Sequence, residues 1–155
     1  MNLYLVQHAE AKSEQEDPQR PLSEMGSANI KKVAAFVAQR KTVQVKTILH
    51  SGKTRAQQTA EKLAQQLKPS QGAKQAEGLE PMADPSTWSV RLADEKEDIM
   101  LVGHLPHLSR LASHLICQEA NRKIVDFQMG GIVCLGRDES GGWSMRWMVV
   151  PGMLG

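Results

Sequence analysis

Short, mostly apolar runs recur along the chain, each too brief for a helix: Leu3-Tyr4-Leu5-Val6, Thr47-Ile48-Leu49-His50, Ile99-Met100-Leu101-Val102-Gly103 and Ile132 to Leu135. Uncharged runs of this length, rich in strand formers, predict strands, and those with apolar residues at every position predict burial on both faces. Between them the period changes. Ser23 is placed as an N-cap ahead of Ile30, Val33, Ala34 and Val37, which recur at helical spacing. Ser51 likewise precedes Ala56, Ala60, Leu63, Ala64 and Leu67, a stripe closed by Pro69. Pro106 stands at the start of a third helix carrying Leu108, Leu111, Ala112, Leu115 and Ile116 on one face.

Two segments break this rhythm. Glu10 to Arg20 is charged, holds Pro18 and shows no period, which predicts a surface loop. Pro69 to Asp98 is weakly patterned, although Pro85-Ser86 can open a short helix with Trp88 and Leu92. Near the C-terminus, Trp143 to Val150 follows the run at 132–135 across Asp138-Glu139-Ser140-Gly141-Gly142, a turn signal that predicts an antiparallel hairpin. Three strand–helix units and a hairpin together predict a three-layer α/β/α sandwich, its sheet mixed but mostly parallel, in a single domain spanning residues 1–155.

Composition adds exclusions rather than chemistry. The 155 residues are 41% hydrophobic and 23% charged, ordinary for a globular chain, and 19 basic against 17 acidic residues leave +2. That balance gives no reason to expect a nucleic-acid partner. No run reaches the roughly 18–20 apolar residues of a membrane helix, and Met1 to Val6 lacks the features of a signal peptide, so no membrane partner and a cytoplasmic location are expected. Cys117 and Cys134 stand in apolar stretches far apart, which predicts buried thiols in a reducing compartment.

In open α/β sheets ligands bind beyond the carboxyl ends of parallel strands. There the sequence places Gln7-His8, His50-Ser51 with Lys53 and Arg55, and Gly103-His104. A side chain on a helix points back toward the N-terminus, so Arg55 in a first turn reaches the crevice, and the free N–H groups of that turn add positive potential. Two histidines and a guanidinium there predict a phosphate pocket with a histidine nucleophile. Alone, each is more often an exposed or structural residue; their joint placement carries the reading. His50, His107 and His114 are expected to be solvent-facing or core-edge residues, and the spacing of His104, His107 and His114 matches no metal pattern, so neither metal nor other cofactor is expected.

Four blocks in order, Leu3-Tyr4-Leu5-Val6-Gln7-His8-Ala9-Glu10-Ala11, Arg20-Pro21-Leu22-Ser23-Glu24-Met25-Gly26, Ser51-Gly52-Lys53-Thr54-Arg55-Ala56-Gln57-Gln58-Thr59-Ala60 and Val102-Gly103-His104-Leu105-Pro106, resemble the histidine phosphatase (phosphoglycerate mutase-like) superfamily. Within it they are most similar to the small SixA-type phosphohistidine phosphatases. The resemblance implies a metal-free hydrolysis in which His8 is transiently phosphorylated, Arg55 clamps the phosphoryl oxygens and His104 donates to them. Arg20 and Ser51 would contact substrate, and phosphate or sulfate would occupy the pocket. Where the family usually has Arg before the nucleophile, this chain has Gln7, which keeps a donor but loses charge and the bidentate fork.

The implied substrate is a protein bearing phosphohistidine. Its imidazole leaving group, with a pKa near about 6.5, departs far more readily than an alkoxide, so a general acid matters less. If one is needed, Glu80 is the candidate. The thirty residues from Lys68 to Glu97 are too few for a substantial lid. The alternatives are a small-molecule phosphomonoesterase or phosphotransferase of the same superfamily and, because of Gln7, a phosphate-binding module with little turnover.

Overall fold

The computed structural model describes residues 1–155. Six strands, β1 (Asn2–Gln7), β2 (Ile48–His50), β3 (Ala73–Gln75), β4 (Ile99–Gly103), β5 (Ile132–Arg137) and β6 (Trp143–Val149), form one sheet in the order β3-β2-β4-β1-β5-β6. The β3-β2, β2-β4 and β4-β1 pairs are parallel, and β5 and β6 add the antiparallel part. The mostly parallel mixed sheet and its C-terminal hairpin are thus as the pattern predicts.

Strand alternation sorts the core into two layers. Tyr4, Val6, Met100, Val102, Ile48 and Cys134 face α1 (Glu24–Gln39) and α2 (Thr54–Leu67), whose Ile30, Val33, Ala60 and Leu63 are fully buried against them. Leu3, Leu5, Leu101, Val133 and Leu135 face the other way, toward α3 (Pro85–Asp94) and α4 (His107–Cys117), meeting Trp88, Leu92, Leu108 and Leu111. With helices on both faces, the carboxyl ends of the parallel strands are the expected place for a ligand.

The weakly patterned stretch is built from short pieces. Asp84 caps α3, its carboxylate accepting from the Ser86 N–H at 2.9 Å, and Pro85 takes the first helical position. The strand β3 was not expected: at three residues, two of them exposed on an edge, Ala73–Gln75 carries too little apolar pattern to be seen. Cys134 is buried and Cys117 half-buried, both as free thiols.

One helix start departs from expectation. Ser23 caps α1 as predicted, its hydroxyl accepting from the Gly26 N–H at 3.0 Å. Ser51 does not cap α2; the helix begins two residues later, with Lys53 as the flanking residue. Between them Gly52 adopts φ +90°, and a Cβ there would lie 2.5 Å from the Gln75 side chain. Only glycine makes this turn without strain, and the turn frees the Ser51 hydroxyl for another partner.

Candidate active site

Register places the chemistry. Gln7 pairs with Gly103 and His50 with Val102, so His8, His104 and Ser51 leave three neighbouring strands at one level. The His8 N–H donates to the Gly103 carbonyl at 3.0 Å, continuing the ladder one residue beyond β1. The two imidazole rings lie 5.1 Å apart, centre to centre, tilted by 49°.

His8 is nearly buried, and its Nδ1 lies 2.8 Å from the Ala9 carbonyl oxygen. A carbonyl only accepts, so Nδ1 carries the proton and Nε2 keeps its lone pair. Burial, and after it the Arg55 and Arg20 charges, hold the His8 pKa below the usual 6.5 despite the opposing Ala9 bond. The ring is therefore neutral at pH 7, with a fixed tautomer and a free nitrogen, as a nucleophile must be.

His104 is buried, its pKa pushed down to about 3 by burial first and then by His8, Arg55, Lys53 and His107. Its Nε2 is 2.6 Å from the Ser51 hydroxyl, and its Nδ1 is buried without a partner. The Arg55 Nε is buried and unpaired as well. Burial and the neighbouring Arg20 lower the Arg55 pKa, and Glu14 opposes them. Unpaired buried groups are rare and costly, so their convergence on one crevice marks a place built to receive a polar partner. With Arg55, Arg20 and Lys53 supplying the charge, that partner is an anion.

The mouth of the crevice is a polar pocket of about 350 Å³ lined by Glu14, Pro18, Gln19, Arg20, Gly52, Lys53, Thr54 and Arg55. Arg20 sits at the base of the loop that follows β1, which is closed by the Ala11–Leu22 bridge, and its Nε donates to the Lys12 carbonyl at 3.1 Å. Gly26 fixes where this loop meets α1: a Cβ there would overlap the Glu10 carbonyl oxygen at 2.0 Å. Gln7 ends β1 with its carbonyl accepting from the Gly130 N–H at 3.0 Å and its Oε1 buried and unpaired.

Of the sequence-predicted residues, His8, His104, Arg55, Ser51, Gln7 and Arg20 therefore gather at one edge. Glu80 is the remaining candidate. It is exposed, and its charge acts on His107 rather than on His8 or His104. Two histidines differ from expectation: His107 is fully buried with neither ring nitrogen paired, and His50 is buried with Nδ1 accepting from the Gly52 N–H at 3.1 Å. His50 closes β2 and His107 opens α4, and neither faces solvent. No three His, Cys, Asp or Glu side chains are arranged to hold a metal ion.

Sequence reasoning missed Thr59. Its buried hydroxyl accepts from the Ala9 N–H at 3.0 Å and donates to the Arg55 carbonyl at 2.7 Å, tying the peptide that orients His8 to the turn that carries Arg55. The signal was present, since a threonine four residues after Arg55 on the apolar face is placed to back-bond that carbonyl.

A model of the histidine phosphatase superfamily (branch 1) matches residues 3–83. No curated protein sequence matches the chain. Among solved structures, the protein histidine phosphatase SixA complexed with tungstate is similar over 100% of both chains, with a TM-score of 0.86 and 24% identity. A second SixA structure, from Agrobacterium tumefaciens, covers 97% of each chain with a TM-score of 0.76 and 23% identity. A phosphoserine phosphatase from Entamoeba histolytica in complex with phosphoserine covers 95% of each chain with a TM-score of 0.70 and 15% identity. At these identities the likeness shows the fold alone.

Proposed function

The chain belongs to the histidine phosphatase superfamily, and from that premise we propose that it is a phosphohistidine phosphatase acting on a phosphorylated protein, without a metal. The observation that carries this reading is the His8 ring, whose Nδ1 is held by the Ala9 carbonyl and whose Nε2 is free beside the unpaired Nε of Arg55 and Nδ1 of His104.

In the first step His8 Nε2 attacks phosphorus, the P–N bond to the substrate imidazole breaks, and that imidazole leaves with a proton from solvent. In the second, water attacks the phosphoryl group on His8, and inorganic phosphate and the neutral ring are restored. Arg55 holds two phosphoryl oxygens, and His104 donates to a third as charge moves onto them. Arg20 and Lys53, at the mouth, offset the charge that Gln7 lacks.

Two features favour a phosphoramidate over a phosphate ester. An imidazole leaves without strong acid assistance, and Glu80, the candidate acid, is exposed with its influence on His107. A protein substrate also suits the surroundings. Leu105 directly follows His104, Met129 directly precedes the Gly130 that bonds Gln7, and both side chains are exposed. The partner on this reading is a phosphotransfer domain or phosphocarrier protein, and the cytoplasm is where such partners reside. No helix is long and apolar enough to cross a membrane.

Gln7 supports a second reading, a phosphate-binding module with little turnover, since its amide brings no charge to the crevice. Phosphate release from a phosphohistidine protein and from simple phosphomonoesters decides among these. The proposal expects release from the first at least tenfold faster. Faster release from the esters would assign a small-molecule phosphatase, and binding of phosphate without release from either would assign the module.

A further inference from the structure

The Ser51 hydroxyl has two hydrogen-bond partners. Its oxygen accepts from the Lys53 backbone N–H at 3.3 Å, and it lies 2.6 Å from His104 Nε2. An amide N–H only donates, so the one acceptor within reach of the serine proton is the imidazole nitrogen. Nε2 then holds a lone pair, and the ring proton sits on Nδ1, the buried nitrogen that has no partner. The opposite arrangement would leave the serine proton unpaired in a buried place and turn a bare Nδ1 lone pair toward a crevice that collects positive charge for an anion.

We propose that Ser51 is a positioning residue that fixes His104 as the Nδ1–H tautomer, so that the imidazole presents its one N–H to a phosphoryl oxygen. This rests on the reading that the phosphoryl group occupies the crevice beside His8. The consequence is large because His104 is neutral, with its pKa pushed down to about 3. An imidazolium would donate from both nitrogens whatever its neighbours did, whereas a neutral ring has one proton to place. Were that proton on Nε2, it would be spent on Ser51 and nothing would remain for substrate. The hydroxyl is itself held in place: the Gly52 N–H donates to His50 Nδ1 at 3.1 Å, and Gly52 at φ +90° sets the turn between β2 and α2.

Long-range proton–nitrogen NMR of the histidine rings tests this in the full chain, alongside kcat and KM for a phosphohistidine protein. In the wild type His104 is expected to show a protonated Nδ1 and an unprotonated Nε2. Ser51→Ala should let the two tautomers mix and lower kcat about tenfold, less than the roughly 10²–10³-fold expected for deleting an oxyanion donor outright. KM should change little. Ser51→Thr, which keeps a hydroxyl, should restore the Nδ1–H form and most of kcat. A wild-type ring protonated on Nε2 overturns the proposal, even if the alanine variant does not fold. So does an alanine variant with unchanged tautomer and unchanged kcat. A wild type with the Nδ1–H ring but no phosphatase activity would refute the enzymatic reading while supporting the assignment of Ser51.

Discussion

Two concave regions of this molecule differ in a way that cavity size alone would misjudge. The larger, about 670 Å³, runs between α3, α4 and the β5–β6 turn and is lined by residues such as Lys96, His114, Arg137, Glu139 and Trp143. The smaller, about 350 Å³, is the mouth above Arg55. Every buried side-chain polar atom that lacks a partner belongs to Gln7, Arg55, His104 or His107, at or next to the strand ends, and none to the larger groove. A site is marked by groups that folding has desolvated and left unpaired, because such an arrangement costs stability and persists only where a ligand repays it. The larger groove has mixed charge and no buried polar atom left without a partner, the ordinary condition of a surface.

Variants should separate the two regions. Arg55→Ala removes the clamp and should lower kcat about 10²–10³-fold, as measured by single-turnover phosphate release, with the fold retained. A drop of less than threefold would take Arg55 out of the site.

The pH dependence of kcat/KM comes next in size. His8 must be neutral to attack, and its pKa is depressed by burial and by Arg55. The acid limb should therefore fall below pH 6.5; a limb above pH 6.5 would contradict the neutral, buried nucleophile. Stability should follow the same sign. Below pH 6.5 the unfolded chain takes up protons that buried His8 and His104 resist, so their contribution is complete above that pH and drains as pH falls toward the His104 value of about 3.

Gln7→Arg should raise kcat/KM by up to about tenfold, the worth of one charge-assisted contact. An unchanged rate would show that Arg20 and Lys53 already supply that charge. The smallest effect belongs to the larger groove. Lys96→Ala and Glu139→Ala, both exposed, should leave turnover within about twofold and stability within about 0.5 kcal/mol. A tenfold loss of activity from either would undo the contrast between the two regions.

Much of this was legible in the chain because the fold and the site share one logic. Uninterrupted apolar runs such as Ile99–Gly103 can be little else than buried parallel strands, and their ends are where ligands sit, so His8, Arg55 and His104 could be singled out together. What escaped the sequence depends on three-dimensional detail. The true start of α2 follows from the φ of Gly52 and the nearness of Gln75, a residue of a strand too short to show a pattern. The burial of His107 depends on how α3 and the 76–84 segment pack against α4. Thr59 bridges Ala9 and Arg55 across fifty residues of sequence, a pairing no local window contains.

The central claim is that His8 takes the phosphoryl group. Rapid acid-free quenching of the wild type with a labelled phosphohistidine protein, followed by peptide mapping, should find acid-labile phosphate on His8 and nowhere else in the chain, and His8→Ala should show neither that label nor turnover. Phosphate release at the wild-type rate by His8→Ala, or label on a different residue, would contradict it.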